Sequence, residues 1–224
     1  MSTERPDWIA NIRVVGFDLD QTLYPKSPLI DEKIQGYLYE KIAEHKNVSL
    51  ENARTLFNER YRGGAGLSGR QTLLDLGLPN AAELVQEALE KADIASVLSP
   101  DPELNQLLAG LHSAYQGVDL ITGSSKRQTD LKLAAITLAP HTFTHIITAD
   151  DSSKSSGESY QRWFALYPDY APEQFLYVGD RIRIDHEIPA ALGIHTALVY
   201  VKETNPSLTC LQYPSPIELL AALQ

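Results

Sequence analysis

The chain has 224 residues, 43% of them hydrophobic and 21% charged, enough for one large domain or a core carrying a smaller insert. A formal net charge of −10 argues against a nucleic-acid partner, and the single Cys210 excludes an internal disulfide and a paired-cysteine zinc or redox motif. No apolar run approaches the roughly eighteen residues of a membrane-spanning helix. Met1 to Asp7 lacks the basic-then-apolar pattern of a signal peptide, so the expectation is a cytoplasmic protein with no membrane partner.

Ile12 to Leu19 reads as a buried strand that runs into two carboxylates, Asp18 and Asp20. Residues two apart on an extended chain share a face, so the pair can converge on one spot. Gln21 and Pro25 signal that the chain is already turning by Thr22. Converging carboxylates repel and resist desolvation unless a cation joins them; magnesium, which prefers oxygen ligands, is the natural candidate. A solvated acidic turn is the plainer reading of the Asp-x-Asp spacing alone.

From Leu29 to about Ala95 the pattern is helical throughout. Helices are predicted over Asp31 to Lys46, from Ser49 through Tyr61, near Gly69 to Leu76 and over Asn80 to Lys91, with Gly63-Gly64-Ala65-Gly66 ending the second. Tyr37, Tyr39 and Tyr61 are expected in the core of this block, and Arg70 on its surface. From Pro100 onward helices and strands alternate. Helices are expected at Asp101 to Leu111, Lys126 to Ile136, Glu158 to Leu166, His186 to Leu192 and Ile217 to Leu223. Strands are expected at Val118 to Thr122, Thr144 to Thr148, Phe175 to Val178 and Thr196 to Val201. The alternation implies an α/β fold with a doubly wound parallel sheet, whose ligands sit beyond the carboxyl ends of the strands.

Those ends carry a short set of chemistry-bearing residues. After the second strand, Thr122-Gly123-Ser124 offers a hydroxyl and backbone N–H groups near a helix start, suited to phosphate oxygens or simply to capping the helix. After the third, Lys154 lies in the small-residue loop Ser152-Ser153-Lys154-Ser155-Ser156-Gly157; a lone loop lysine is ordinarily a surface charge. After the fourth comes Gly179-Asp180-Arg181-Ile182-Arg183-Ile184-Asp185. There Gly179 lets the backbone turn, Asp180 is placed for a metal, and Asp185 either joins the metal through water or caps the next helix. Arg181 and Arg183 read as surface residues. Trp8 and Trp163 read as packing residues, and His141 and His186 have no partner at ligand spacing.

Taken together, DLDQT, LITGS, the lysine loop and VGDRIRID resemble, in that order, the motifs of the haloacid dehalogenase (HAD) superfamily of hydrolases, with a helical C1-type cap inserted after the first motif. Tyr24-Pro25 makes the first motif most similar to the pyrimidine 5′-nucleotidase-like branch. The resemblance implies a Rossmann-like core over residues 1–24 and 97–224 and a cap over 25–96. It implies Asp18 as the nucleophile that forms an aspartyl-phosphate and Asp20 as the general acid and base. Mg²⁺ would be held by Asp18, the Asp20 backbone carbonyl and Asp180, with Asp185 supporting its water shell. Thr122, Gly123 and Ser124 would bind the transferring phosphoryl group, and Lys154 would offset its charge. Lys126 is an alternative to Lys154, and Ser155, standing where the family commonly has proline, implies a looser loop.

An acidic chain repels phosphate at long range, so such a site needs a local cation and a placed lysine. The expected activity is magnesium-dependent hydrolysis of a small phosphorylated metabolite, a nucleotide or sugar phosphate. A sugar-phosphate mutase or a non-catalytic phosphometabolite sensor are the alternatives. Dehalogenases of this type lack an aspartate two residues after the nucleophile, so Asp20 favours a phosphate ester over a carbon–halogen bond. Oligomeric state is not legible in the sequence.

Overall fold

The computed structural model describes residues 6–61 and 65–223. Gly63 and Gly64, expected to end a helix, and the first five residues of the segment read for a signal lie outside the described residues. The chain divides into two compact units, one running up to Pro25 and resuming at Leu98, the other Lys26–Val97.

The first unit holds a six-stranded parallel sheet in the order β3-β2-β1-β4-β5-β6, where β1 is Val14–Phe17, β2 Gly117–Ile121, β3 Ile146–Ile147, β4 Phe175–Gly179, β5 His195–Leu198 and β6 Leu211–Gln212. Every residue of β1, β2 and β4 is buried, as a parallel sheet covered on both faces requires. This is the α/β fold expected from the alternation, with β1 in the middle. The first, second, third and fifth predicted strands run past the observed carboxyl ends, where the chain leaves the ladder, whereas β4 continues one residue beyond its predicted end to Gly179. The two-residue strand β6 carries no periodicity to read.

Register decides what the strand ends share. Phe17 lies opposite both Leu120 and Val178, so Asp18, Thr122 and Asp180 emerge close to the same level. The Asp18 N–H still donates to the Val178 carbonyl at 2.8 Å, and the Thr122 N–H to the Ile147 carbonyl at 2.9 Å. At Gly16 a Cβ would stand 2.7 Å from Trp163 and Ile121, so the indole packs directly on the β1 backbone. Trp163, fully buried with Tyr160, Phe175 and Tyr177, is the packing residue it was read to be.

The Lys26–Val97 unit is helical, with α1 at Pro28–Lys46, α2 at Leu50–Asn58, α3 at Gly69–Asp75 and α4 at Ala81–Lys91. Ser27 caps α1 ahead of Pro28, and Asn47 closes it in the left-handed region at φ 52°. Ser68 and Gln71 form a capping box at α3. Leu38, Ile42, Ala53, Phe57, Leu73 and Ala88 make its core, against which Tyr37 and Tyr61 pack; Tyr39 is buried within it. Arg70 is exposed.

In the sheet unit the remaining helices are α5 Pro102–Leu111, α6 Lys126–Ala135, α7 Glu158–Ala165, α8 Ile188–Ala191 and α9 Pro216–Leu223. Instead of one helix from His186, a π-helical turn spans Ile182–Glu187 before α8. Wide turns of this kind recur at functional sites.

Beneath the site, Asp119 on β2 is wholly buried. It accepts hydrogen bonds from Trp163 Nε1 at 2.7 Å, the Tyr167 hydroxyl at 2.7 Å and the His145 N–H at 2.8 Å. Burial raises its proton affinity while those donors oppose the shift.

Candidate active site

Asp18 is 1% exposed and Lys154 4%, and the Lys154 ammonium donates to Asp18 Oδ1 at 2.7 Å. The lysine is therefore not a surface charge. Its loop is held by hydrogen bonds from the Gly157 N–H to the Lys154 carbonyl and from the Ser156 hydroxyl to the Ser153 carbonyl, so the missing proline leaves it well tied. Lys126, the alternative, points to solvent instead. Its side chain is 71% exposed and pairs with Asp130 one helical turn on.

Lys154 Nζ also lies 2.8 Å from Asp185 Oδ1, close enough for an ion pair but not aligned as a hydrogen bond. Asp185 Oδ2 accepts the N–H groups of Asp180 at 3.2 Å and Arg181 at 2.9 Å, so this aspartate holds the fourth-strand loop closed. The role read for Gly179 needs correction. It has no positive φ; what excludes a side chain is Asp185, whose Cβ would be 2.3 Å from an added Cβ. Arg181, read as a surface residue, is half exposed but lies 3.7 Å from Asp185 and 3.9 Å from Asp180, at the rim of the cluster. Arg183 is exposed.

Asp18, Asp180 and Asp185 each present a ligand atom within 4.8 Å of the others. Asp18 Oδ2, Asp180 Oδ1 and Asp185 Oδ1 are buried with no hydrogen-bond partner. Burial, with Lys154 opposing and Asp185 and Asp20 assisting, pushes the Asp18 carboxyl up to about 6. Burial and the charges of Asp18 and Asp185 push Asp180 up to about 7, against Arg181 and Lys154. Three carboxylates this close together, each with a buried oxygen that no hydrogen bond satisfies, fit a hard divalent cation.

Asp20 turns elsewhere. The chain leaves the strand through a tight turn in which Gln21 takes a left-handed φ of 60°. The Asp20 carboxylate is then met by the Tyr24 hydroxyl and Lys132 Nζ (2.6 Å) at Oδ1, and by the Ser124 hydroxyl (2.7 Å) at Oδ2. Burial alone would raise its proton affinity, but the Lys132 charge and the bonds from Lys132, Tyr24 and Ser124 outweigh it and hold the carboxyl below its usual range. Its side chain does not join the three-carboxylate cluster, as the backbone-carbonyl role expected for it allows. Thr22, on the same turn, is buried with an unpartnered hydroxyl.

Thr122 is buried, and its hydroxyl oxygen accepts the Ser124 N–H at 3.1 Å, leaving the hydroxyl hydrogen to donate. Gly123 is exposed. Ser125 caps α6 by accepting from the Gln128 N–H. His186 is bound to Thr196 in the core rather than facing the cluster. Tyr24 and Lys132 are site residues that sequence reasoning missed. The signal for Lys132 was present: Thr129, Lys132, Leu133 and Ile136 share one face of a helix, and that face is buried.

A family model described as haloacid dehalogenase-like hydrolase matches residues 15–199. A HAD phosphatase from Thermococcus onnurineus superposes with a TM-score of 0.64 at 21% identity, covering 95% of this chain and 98% of that one. A candidate β-phosphoglucomutase from Thermotoga maritima gives 0.62 at 20% identity over 95% and 98%. A 2-haloacid dehalogenase from Pseudomonas syringae pv. Tomato DC3000 gives 0.57 at 20% over 95% and 98%. A search of curated proteins finds no match to this chain. At such identities the structural likenesses speak for the fold alone, and the family follows from the model that spans β1 through β5: the chain belongs to the haloacid dehalogenase-like hydrolases.

Proposed function

We infer that this protein is a magnesium-dependent phosphatase for small phosphomonoesters, nucleotide or sugar phosphates, acting through an aspartyl-phosphate. The observation that carries the reading is the separation of two aspartates only two residues apart. Asp18 lies in the carboxylate cluster under Lys154, while Asp20 has its own cradle of Tyr24, Ser124 and Lys132. Two carboxyl groups held in separate environments can take separate roles, and Asp20, held below its usual range, is ionised as the base of the second step requires.

In the first step an Asp18 oxygen attacks phosphorus, the ester P–O bond breaks, and a proton on Asp20 passes to the leaving oxygen. An incoming phosphate dianion is a like charge beside Asp20 and favours its protonated form. In the second step Asp20, now ionised, takes a proton from water as the new O–P bond forms and the Asp18–phosphoryl bond breaks. Lys154 offsets the charge of nucleophile and phosphoryl oxygens. The Thr122 hydroxyl and the Gly123–Ser124 backbone are assigned to the phosphoryl group. Magnesium, held by Asp18, Asp180, Asp185 and the Asp20 carbonyl, would supply further positive charge against the phosphate.

Asp20 also argues against dehalogenation, since a departing halide takes no proton. The hydrogen bond from Tyr24 gives that residue a task at the reacting centre and supports the nucleotidase-like branch suggested by Tyr24-Pro25. The helical unit is proposed as the cap whose residues select the substrate. The test is phosphate release from nucleotides, sugar phosphates and p-nitrophenyl phosphate with magnesium and with EDTA. Metal-dependent release abolished by Asp18→Asn is expected; turnover that survives the substitution would refute the mechanism.

A further inference from the structure

Each of the two aspartates has its own buried lysine, and only one of those lysines has been given a task. Lys132 stands on the buried face of α6 with its side chain 4% exposed, and its ammonium donates to Asp20 Oδ1 at 2.6 Å and Ser124 Oγ at 2.8 Å. An ammonium has three donors and no acceptor. Ser124 must therefore accept from Lys132 and spend its own hydrogen on Asp20 Oδ2, where the distance is 2.7 Å. Lysine, serine and carboxylate close a ring whose proton order Lys132 dictates. Tyr24 adds a further donor from the opposite end of the turn. Both oxygens of Asp20 are thereby fixed, by donors other than the Lys154 that serves Asp18. A buried lysine is costly unless its charge is matched, and the matching charge here is a reacting group rather than a structural one.

We propose that Lys132 is a positioning residue for Asp20, holding the carboxyl where it can pass its proton to the leaving oxygen. The proposal rests on the phosphatase reading and deepens it. Lys132 acts through Asp20 and touches no reacting atom of the ester. Its loss should therefore matter in proportion to how much the leaving group needs a proton. An alkyl phosphate leaves as a strongly basic alkoxide and depends on the acid; p-nitrophenolate leaves readily without one.

The experiment compares kcat/KM, which reports only the steps up to departure of the leaving group, for an alkyl phosphate and for p-nitrophenyl phosphate. Both are measured on one preparation each of wild type, Lys132→Met, Asp20→Asn and the double variant. The ratio of the two values is independent of the fraction of protein that is folded. General acid catalysis contributes about 10²–10⁴-fold, so Lys132→Met should lower the alkyl value at least about tenfold more than the aryl value. In the Asp20→Asn background the same substitution should leave the ratio unchanged, because the group it positions is gone. If Lys132→Met does not fold, Lys132→Gln takes its place under the same criteria. Equal losses on both esters, or a further change of ratio in the double variant, would overturn the proposal while leaving the phosphatase reading intact. Absence of metal-dependent turnover in the wild type would overturn both.

Discussion

The carboxylate cluster ties metal affinity to pH, and the size of the effect follows from the site. Asp18 and Asp180, held at about 6 and about 7, must both lose their protons to bind a divalent cation. Each group lowers the apparent affinity by the factor 1 + 10^(pKa − pH). At pH 5.5, chosen to stay above the sequence pI of about 5.0, the factors are about 4 and about 33; at pH 8 their product is close to 1. Magnesium should thus bind about 10²-fold more tightly at pH 8 than at pH 5.5. The same shifts govern the metal-free fold. Both folded values exceed the ordinary 3.8, so their contribution to stability is present in full below pH 3.8 and is lost as pH rises through about 6 and about 7. Added magnesium should therefore raise the melting temperature more at pH 8 than at pH 5.5. Isothermal titration calorimetry in buffers of different ionisation enthalpy measures both the affinity and the protons released. Equal affinity at the two pH values, with no proton release, would show that this cluster does not hold the metal.

Other outcomes follow from single contacts. Lys154→Met should cost about 10²–10³-fold in kcat by leaving the charge shared by Asp18 and the phosphoryl group uncompensated, read by steady-state kinetics at saturating magnesium. Gly16→Ala should destabilise the fold by about 1–3 kcal/mol, since the new methyl meets Trp163 and Ile121 at 2.7 Å; urea unfolding measures it. Asp119→Ala should cost about 2–5 kcal/mol by stranding the Trp163 and Tyr167 donors in the interior, with little effect on kcat in the fraction that remains folded.

The parts of this molecule legible in its sequence are those that obey a short-range rule. Val14 to Phe17 and Phe175 to Val178 announce themselves as buried strands because both faces of the sheet are covered, and a carboxylate at the end of such a run marks a strand mouth. The helices of Lys26–Val97 are written in their caps and apolar spacing. Lys154 could be placed by motif order alone; that it is buried depends on a partner 136 residues away. The buried face that carries Lys132 was readable from its spacing, but for the same reason the residue's partner was not. Its partner Asp20 is 112 residues distant, and in the run Lys126-Arg127-Gln128-Thr129-Asp130-Leu131-Lys132 a third basic residue looks like one more solvated charge. The task of Gly179 was misread because the side chain that presses on it arrives from Asp185, beyond the turn. The π-helical turn at Ile182–Glu187 has no sequence period of its own, so a helix-capping role for Asp185 stands open beside a metal-site one until the backbone is seen.

The place of β1 in the sheet also orders events in time. It is synthesised well before both of its neighbours: Val14 pairs with Gly117 on one side and Phe175 on the other. Pairing with β4 closes a loop of about 160 residues, and such long-range parallel contacts form late in folding. Lys26–Val97, by contrast, is continuous in the chain and has its own apolar core, so it can condense while β1 still waits for its partners. On a ribosome β1 would thus leave the exit tunnel unpaired, with Val14, Val15 and Phe17 open to chaperones until β4 follows. Hydrogen-exchange pulse labelling during refolding should find the amides of α1, α2 and α4 protected before those of β1.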